Sequence, residues 1–408
     1  MKLLTFVGVG TRFETQYNWN EKTLHTAHFA EALCEWLAPE EVIVFLTTKA
    51  KEHENWYQLQ AFLNARKVKY RDISIPNGAN EKEYWQIFSA MTDSFFEGDQ
   101  IVIDVTHGFR SLPLLGLMAA AYLKMVRQID IQHLLYGAYE AKSPEGVAPV
   151  FDLTPFLSLL EWMQAANQFT QTGLSRELGQ LLTAQQDLLR KNANQGQDLP
   201  RRLKGMGENL EHVSQALMLN NPFSLAKACR QMLNRHLPEI QPEVEKWAPP
   251  FAAILEKIGE NYLPFTHDDL STQRDLIQWY LERGHWLQAA TLAGEWLISY
   301  ACFHWENDNN PERRIREQVS CALQGYSKAR QKSGQIPDFA REVCSLYALD
   351  ELPEPNLLLN LIDSIPRLRN DLAHCGMGRE NNPDKTALKS MVLQLETYVA
   401  KLKTLVLP

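Results

Sequence analysis

The chain has 408 residues, of which 45% are hydrophobic and 22% are charged, and its formal net charge is −8. This length exceeds the usual size of one hydrophobic core, so we expect two or three domains. The composition is that of an ordinary globular protein and argues against a disordered or membrane-spanning chain. The negative charge argues against broad non-specific binding of nucleic acid, so any RNA site must be a local patch.

Cysteine usage and the N-terminus indicate the compartment. The cysteines form no Cys-x-x-Cys pair and no zinc-like cluster with histidine, so we expect reduced thiols and no metal site. They are Cys34, Cys229, Cys302, Cys321, Cys344 and Cys375. The apolar run at the N-terminus is too short for a signal peptide, and no segment approaches the roughly 20 apolar residues of a membrane span. The sequence therefore predicts a cytoplasmic protein with no membrane partner.

The first 150 or so residues alternate short apolar runs with amphipathic stretches, a pattern typical of an α/β domain. The runs predict buried strands at 3–9, 41–47, 68–75, 100–105 and 131–136. Helical patterns separate them, including 23–37 and 81–96. Such alternation predicts a mostly parallel, Rossmann-like sheet covered on both faces. Ligands of such sheets bind beyond the carboxyl ends of the strands.

The first two strands end in residues that suit a phosphate ligand. After strand one, Gly8 and Gly10 let the backbone approach a ligand, and Thr11 can donate a hydrogen bond to it. A glycine turn that serves only the chain path is the alternative. A dinucleotide fingerprint would need glycine or alanine where Phe13 stands, which argues against a nicotinamide or flavin cofactor. After strand two, Thr48 and Lys49 could meet a phosphate, although a solvated surface lysine is the commoner explanation.

The fourth strand is followed by the strongest signal of this half, a polar loop that leads into an apolar helix from 114 to 126. Free amides and the dipole at a helix N-terminus favour an anion. Ser111 is expected to cap this helix, with Pro113 in its first turn. No proton-transfer partner for the loop histidine is evident, so we interpret the loop as a phosphate or nucleotide site. Its candidate residues are Thr106, His107, Gly108, Phe109, Arg110 and Ser111.

From residue 154 onward the pattern changes to helix upon helix. Apolar residues recur at helical spacing over 156–169, the segment 192–197 has the composition of a loop, and prolines between 238 and 250 mark another break. A last helical unit is expected to begin near Asp268. We therefore predict an α/β domain at 1–153, a helical connector at 154–265 and a final all-α domain at 266–408.

The run from Arg369 to His374 carries parts that can cleave RNA without a metal. Cleavage needs a group that deprotonates the ribose 2′-hydroxyl, a group that stabilises phosphate charge, and a group that protonates the leaving 5′-oxygen. Histidine titrates near neutral pH and arginine stays charged, so His374 and Arg369 suit these tasks. On a helix, Asn370 and His374 share a face, whereas Arg369 and His374 lie about 140° apart. Two copies of the helix would close that gap, which predicts a twofold dimer as the catalytic unit.

Three segments of the chain resemble two known families. The segments 8–11 and 104–113 resemble the CARF domains of CRISPR-associated ancillary proteins. The run 369–374 is similar to the HEPN ribonuclease motif, which consists of an arginine, a short spacer and a histidine. The two motifs occur in the expected order across the change from α/β to all-α. The resemblance assigns 1–153 to CARF and 266–408 to HEPN.

The resemblance implies a single-stranded RNA endoribonuclease of type III CRISPR defence. Cyclic oligoadenylate would bind across a dimer of CARF domains and activate a composite HEPN site without a metal. The product would carry a 2′,3′-cyclic phosphate and a 5′-hydroxyl. Cyclic tetra-adenylate is the first expectation and hexa-adenylate the second. No other cofactor is implied, and assembly beyond the homodimer stays open.

Two further interpretations stay open at this level. The chain could be a sensor or binding module whose helical half is catalytically silent, although intact Arg369 and His374 count against it. It could also be a ring nuclease that degrades its activator in the CARF domain, in which case His107 is the suspected residue. An unrelated nucleotide-dependent enzyme would require a complete phosphate-binding fingerprint, and the sequence has none.

Overall fold

The computed structural model describes residues 1–108, 111–193, 196–331, 334–373 and 385–407. The chain divides into two compact units, Met1–Glu161 and Trp162–Pro408. The sequence predicted three domains, with boundaries after residues 153 and 265. The structure separates two units, so the separate helical connector at 154–265 stays a prediction. Phe109, Arg110 and His374 were predicted as site residues and lie outside the described residues.

Within the described ranges, the strands of the first unit form one eight-stranded sheet in the order β3-β2-β8-β7-β6-β1-β4-β5. The strands are β1 (Lys2–Phe6), β2 (Thr15–Trp19), β3 (Lys22–Thr26), β4 (Glu41–Thr47), β5 (Tyr70–Ile75), β6 (Gln100–Asp104), β7 (Asp130–Gly137) and β8 (Val147–Asp152). The helices that accompany them are α1 (Phe29–Leu37), α2 (Thr48–Lys51), α3 (Glu54–Ala65), α4 (Glu81–Thr92) and α5 (Leu112–Met125).

The central part of the sheet is parallel. Strand β1 pairs with both β4 and β6, and Leu4 lies opposite Ile43 on one side and Ile103 on the other. After β1 the chain forms the β2-β3 hairpin at one edge of the sheet, crosses to β4 and β5 on the other side of β1, and then returns to β6 and β7. This Rossmann-like strand order confirms the predicted α/β class. It also creates a switch point beside β1, where ligands of such sheets bind.

Both faces of the sheet are buried, as the near-continuous apolar runs predicted. Successive side chains of a strand point to opposite faces, so Leu4 and Phe6 join one apolar cluster and Leu3 joins the other. Helices α4 and α5 cover the first face, and α1 and α3 cover the second. The two layers hold β1 rigidly, so the loop after Phe6 starts from a fixed point.

The predicted helix at 23–37 is wrong over its first four residues, because Lys22–Thr26 is strand β3. It pairs antiparallel with β2 through a turn in which Asn20 and Glu21 have φ of 47° and 67°. Neither this hairpin nor β8 was predicted. The hairpin strands mix polar and apolar residues and β2 buries only alternate side chains, so no continuous apolar run marks them, whereas β8 is apolar but contains Pro149, which argues against a strand.

The second unit is mostly helical, as predicted. Its helices, together with the one that leads into it, are α6 (Thr154–Thr172), α7 (Arg176–Lys191), α8 (Leu203–Met218), α9 (Pro222–Gln231), α10 (Leu237–Trp247), α11 (Pro249–Ala252), α12 (Leu255–Tyr262), α13 (Leu270–Glu282), α14 (Trp286–Glu306), α15 (Arg313–Gln331), α16 (Asp338–Leu346), α17 (Pro355–Ala373) and α18 (Lys385–Leu402). A π-helical turn at Met232–His236 joins α9 to α10.

A single apolar cluster holds the helical unit together. Helix α14 packs against α13, α15 and α17, and its Trp296 is fully buried. The indole Nε1 of Trp296 donates to the carbonyl of Leu270 at 2.8 Å, so its one polar atom is satisfied in the core. Asp269 caps α13 by accepting from the Thr272 amide at 2.8 Å. This start lies next to the predicted one at Asp268.

Three further observations concern the described residues alone. Across these ranges, no helix combines the length and apolar character needed to cross a bilayer. No group of three or more His, Cys, Asp or Glu side chains is placed to hold a metal ion within the same ranges. The cysteines described there, Cys34, Cys229, Cys302, Cys321 and Cys344, are free thiols.

Candidate functional site: a cavity at the carboxyl edge of the sheet

A cavity of about 560 Å³ opens at the carboxyl edge of the parallel strands. Its walls come from the segments that follow β1, β4, β5, β6 and β7, so it lies at the switch point of the sheet. Its volume falls in the range of small-molecule pockets. The cavity belongs entirely to the first unit.

Most of the predicted ligand residues that the structure describes meet in this cavity. Those that line it are Gly8, Gly10, Thr11, Lys49, Thr106, His107 and Gly108. Of the other described candidates, Thr48 and Ser111 do not line it, whereas Thr47 does. The Thr47 side chain caps α2 by accepting from the Ala50 amide at 3.2 Å. Because the strand ends are adjacent, loops that are about 100 residues apart in sequence meet in the cavity.

The predicted cap at Ser111 is wrong, because its side chain makes no capping hydrogen bond to α5. Its backbone is already helical, with φ −84° and ψ −15°, and its hydroxyl lies 3.0 Å from the hydroxyl of Tyr84. A capping residue normally has extended backbone, which aims its oxygen at the first free amides. Pro113 does occupy the first turn of α5, as predicted.

Asn55 on α3 holds the glycine loop after β1. Its side-chain amide donates to the carbonyl oxygens of Gly8 at 2.8 Å and Gly10 at 3.0 Å, and the residue is only 2% exposed. One buried amide thus satisfies two loop carbonyls and defines the curve of the loop. Asn55 was not predicted, since it lies about 45 residues from the loop it supports and follows no strand.

Gly108 occupies a position that only glycine fits. Its φ of +148° is rare for other residues, and a Cβ there would lie 2.4 Å from Cδ1 of Leu112. Gly8 also lies close to this loop, since a Cβ on it would come within 3.5 Å of the Gly108 amide. Gly10 differs, because a Cβ on it would meet nothing within 4 Å. The loops after β1 and β6 therefore approach each other closely at Gly8 and Gly108.

Arg12 and His107 form the polar centre of the cavity. The guanidinium of Arg12 contacts Nδ1 of His107, and Nε2 of His107 lies 3.4 Å from the Phe29 amide. A guanidinium and a backbone amide can only donate, and a neutral imidazole has one free lone pair, so His107 accepts from one of these two neighbours at a time. Burial lowers the pKa of His107 well below its usual range, and the charges of Arg12 and His28 lower that pKa further. The imidazole is therefore neutral near pH 7.

Beneath this pair, Asp104 is a buried carboxylate at the end of β6. It accepts from the hydroxyl of Thr5 at 2.7 Å and from the amide of Thr106 at 2.8 Å. Burial raises the pKa of Asp104, and these hydrogen bonds and the charge of Arg12 oppose that rise. The Thr106 hydroxyl in turn accepts from the Gly137 amide at 2.8 Å. This network ties β1, β6 and β7 together below the cavity floor.

Sequence reasoning missed several residues of the cavity. Arg12 directly follows the predicted Gly-Val-Gly-Thr segment and could have been included for that reason. Tyr17, Tyr139 and Glu140 also line the cavity, but they come from a strand and a turn that carried no ligand signal. Burial, together with the nearby charge of Asp104, raises the pKa of Tyr17 to about 12, so its hydroxyl keeps its proton.

The predicted RNA-cleaving residues lie at the end of α17. Arg369 and Asn370 are exposed in its last turn. Exposure leaves both side chains accessible to a substrate or to a second copy of the chain. His374 follows the described part of this helix, so its distance from Arg369 and the predicted angular relationship stay predictions.

Parts of this chain are similar to known CRISPR-associated proteins. Residues 2–140 match a family model described as the CARF domain of CRISPR system endoribonuclease Csx1. Residues 158–263 match a model described as the second domain of CRISPR-associated protein MJ1674. CRISPR-associated protein MJ1674 of Methanocaldococcus jannaschii is 30% identical over 111 residues, which cover 26% of this chain. The aligned segment spans 18% of the length of that relative.

Proposed function

We propose that this protein is an ancillary endoribonuclease of type III CRISPR defence, activated by cyclic oligoadenylate. The match of residues 2–140 to a CARF family model supports the proposal. The observation that carries the proposal is the convergence of the predicted glycine, threonine and histidine positions in one cavity at the switch point. The family model for this region is named after an endoribonuclease, which supports nuclease activity in general.

The cavity has the chemistry that a phosphodiester ligand needs. Lys49 and Arg12 supply positive charge to its lining, and the loops at Gly8 and Gly108 let backbone approach a ligand closely. Arginine offers paired donors that match phosphate oxygens, whereas lysine acts as a point charge. A neutral His107 can accept or donate a hydrogen bond without adding charge.

A homodimer fits both the ligand and an apolar face of α5. Leu114, Met118 and Met125 are exposed on this helix, which begins beside the cavity loop. Leu114 and Met118 are four residues apart and therefore lie on the same helix face. A second copy packed there would bring two cavities together, and a cyclic tetra-adenylate has the twofold symmetry to match them. A cyclic hexa-adenylate is the second choice of ligand.

The helical unit would then perform the cleavage. In this proposal Arg369 stabilises charge on the phosphate, Asn370 orients it, and His374 transfers a proton. The ribose 2′-oxygen attacks phosphorus and loses its proton, the bond from phosphorus to the 5′-oxygen breaks, and that oxygen takes up a proton. The products are a 2′,3′-cyclic phosphate and a 5′-hydroxyl, and no metal is required.

The test is cleavage of a fluorescent single-stranded RNA in EDTA, with and without cyclic tetra- or hexa-adenylate. We expect cleavage only with the correct activator, and none with His374→Ala. Binding of the activator without cleavage of any RNA would instead favour a sensor with a silent helical half. Cleavage that is independent of every cyclic oligoadenylate would contradict the proposed activation.

The pairing of Arg12 with His107 supports a second candidate activity, slow cleavage of the activator within the CARF domain. In this candidate reaction the ribose 2′-hydroxyl replaces the protein donor at the unprotonated nitrogen of His107, which then accepts its proton, while the guanidinium of Arg12 stabilises the phosphate. Incubation of labelled cyclic tetra-adenylate with the His374→Ala variant tests this activity separately from RNA cleavage. Linear product that disappears in His107→Ala would support it.

A further inference from the structure

We infer that Phe13 forms a nucleobase subsite at the rim of the cavity, with Tyr139 as its support. The inference rests on the proposed function only in taking the ligand to be an adenine nucleotide. Phe13 lines the cavity and is 57% exposed. It occupies the position at which a dinucleotide fingerprint would have glycine or alanine. In a dinucleotide site this position often lies against phosphate. A large aromatic ring here indicates that the residue contacts a different part of the ligand.

The geometry of the two rings supports stacking. The rings of Phe13 and Tyr139 are nearly parallel, with an interplanar angle of 19° and centroids 5.8 Å apart. Phe13 comes from the loop after β1, whereas Tyr139 comes from a 3₁₀ turn after β7. Two segments that are far apart in sequence thus place nearly parallel rings side by side at one edge of the cavity.

Neighbouring groups hold the ring of Tyr139 and the backbone of Phe13 in place. The ammonium of Lys142 lies 4.6 Å from the ring centroid of Tyr139, and it donates to the Tyr139 hydroxyl at 3.3 Å. The carbonyl of Phe13 accepts from the Thr15 hydroxyl at 3.0 Å, which anchors the loop beside β2. Phe13 keeps the larger free surface of the pair, so we assign the contact with a base to its ring.

The rest of the cavity agrees with a base at this rim. The charged groups proposed for phosphate, Arg12 and Lys49, line the same cavity, so one nucleotide could place phosphate and base on chemically different walls. An aromatic ring accepts the face of any base, and such stacking contributes substantially to single-strand binding. The subsite therefore adds affinity for the base without reading its edge by hydrogen bonds.

The experiment measures binding of cyclic tetra-adenylate, 5′-AMP and ribose 5-phosphate to the full chain by calorimetry. Phe13→Leu keeps an apolar side chain but removes the planar ring, and Phe13→Tyr keeps the ring. We expect Phe13→Leu to bind either adenine ligand at least about tenfold more weakly, and Phe13→Tyr to bind within about twofold of the parent. Ribose 5-phosphate should bind the parent and Phe13→Leu equally, since it has no base.

The matched control is Phe96→Leu, which alters an aromatic that is 68% exposed and does not line the cavity. It should leave every affinity unchanged. If Phe13→Leu binds both adenine ligands as tightly as the parent does, the subsite is wrong while the proposed activator stands. If AMP binds through Phe13 but cyclic tetra-adenylate does not bind, the activator is wrong while the subsite stands. If neither adenine ligand binds the parent, both are wrong.

Discussion

The guanidinium of Arg12 contacts Nδ1 of His107, although 95 residues separate the two side chains in sequence. Arg12 follows the glycine loop after β1, and His107 lies in the loop after β6. The pairing links the two loops that approach most closely at Gly8 and Gly108. The charge of Arg12 adds to burial in lowering the pKa of His107, the one histidine that lines the cavity among the residues described.

Arg12→Ala should raise the pKa of His107, because a neighbouring cation disappears while the burial that mainly lowers this pKa remains. We expect the pKa to rise but to stay below the usual value of about 6.5. Titration of the imidazole signals by NMR measures this change. Arg12→Lys, which keeps the charge, should give a smaller rise, and a pKa unchanged in Arg12→Ala would contradict the pairing.

The same burial makes stability depend on pH. The pKa of His107 is lowered in the folded state, so the unfolded chain takes up a proton first as the pH falls below about 6.5. The contribution of this residue to stability is therefore lost on acidification, down to the pKa of the folded state. Urea unfolding from about pH 7.5 to 5.5 should show a smaller loss for His107→Gln than for the parent.

Gly108→Ala and Gly10→Ala should differ, although both glycines line the cavity. Gly108 has φ of +148°, and an added Cβ would overlap Leu112, so we expect destabilisation of at least about 1 kcal/mol. Gly10 has open space around it, so its substitution should leave the midpoint of unfolding nearly unchanged. Chemical unfolding measures both, and equal effects would show that crowding at Gly108 is relieved by movement of Leu112.

Asn55→Ala should disturb the glycine loop, although Asn55 lies on a different element of the fold. It leaves the carbonyls of Gly8 and Gly10 without their buried donor, and such losses cost about 1–3 kcal/mol. Unfolding measurements should show that loss. Ligand binding by the folded variant should also weaken, because the loop carbonyls lose the amide that defines their positions. Asn64→Ala, which changes an exposed asparagine near the end of the same helix, is the control.

Arg369→Ala should abolish RNA cleavage without changing activator binding. Arg367 is exposed on the same helix two residues earlier, so Arg367→Ala removes an equal charge from a different direction. We expect at least about a hundredfold loss of rate for Arg369→Ala, in keeping with loss of charge stabilisation. Equal losses in both variants would indicate general steering of RNA by charge.

Leu114→Glu should weaken the proposed dimer. It places a charge on the exposed apolar face of α5, and Leu114 is 66% exposed and does not belong to the sheet core. Sedimentation at several concentrations should show a shift toward monomer, together with loss of activation by cyclic oligoadenylate. Leu219→Glu is the control, since it alters a more exposed leucine in the helical unit.

The amino-acid sequence by itself determined the fold class and the place of the cavity. Apolar runs of strand length, separated by helical patterns, require a parallel sheet that is covered on both faces. The carboxyl ends of parallel strands share one edge, so glycines and threonines after β1 and β6 had to meet there. Local periodicity and chain direction are enough for these conclusions, since both are properties of neighbouring residues.

Only the tertiary structure decided which side chains complete the cavity. Asn55, Tyr17 and Tyr139 come from segments without a ligand signal, and their roles arise from packing between elements far apart in sequence. The hairpin β2-β3 was missed because β2 buries only alternate side chains, β3 is mostly exposed, and neither strand has an apolar run. A residue pair such as Arg12 and His107 depends on the exact approach of two loops. Periodicity contains no information on such distances, which follow from the packing of the whole domain.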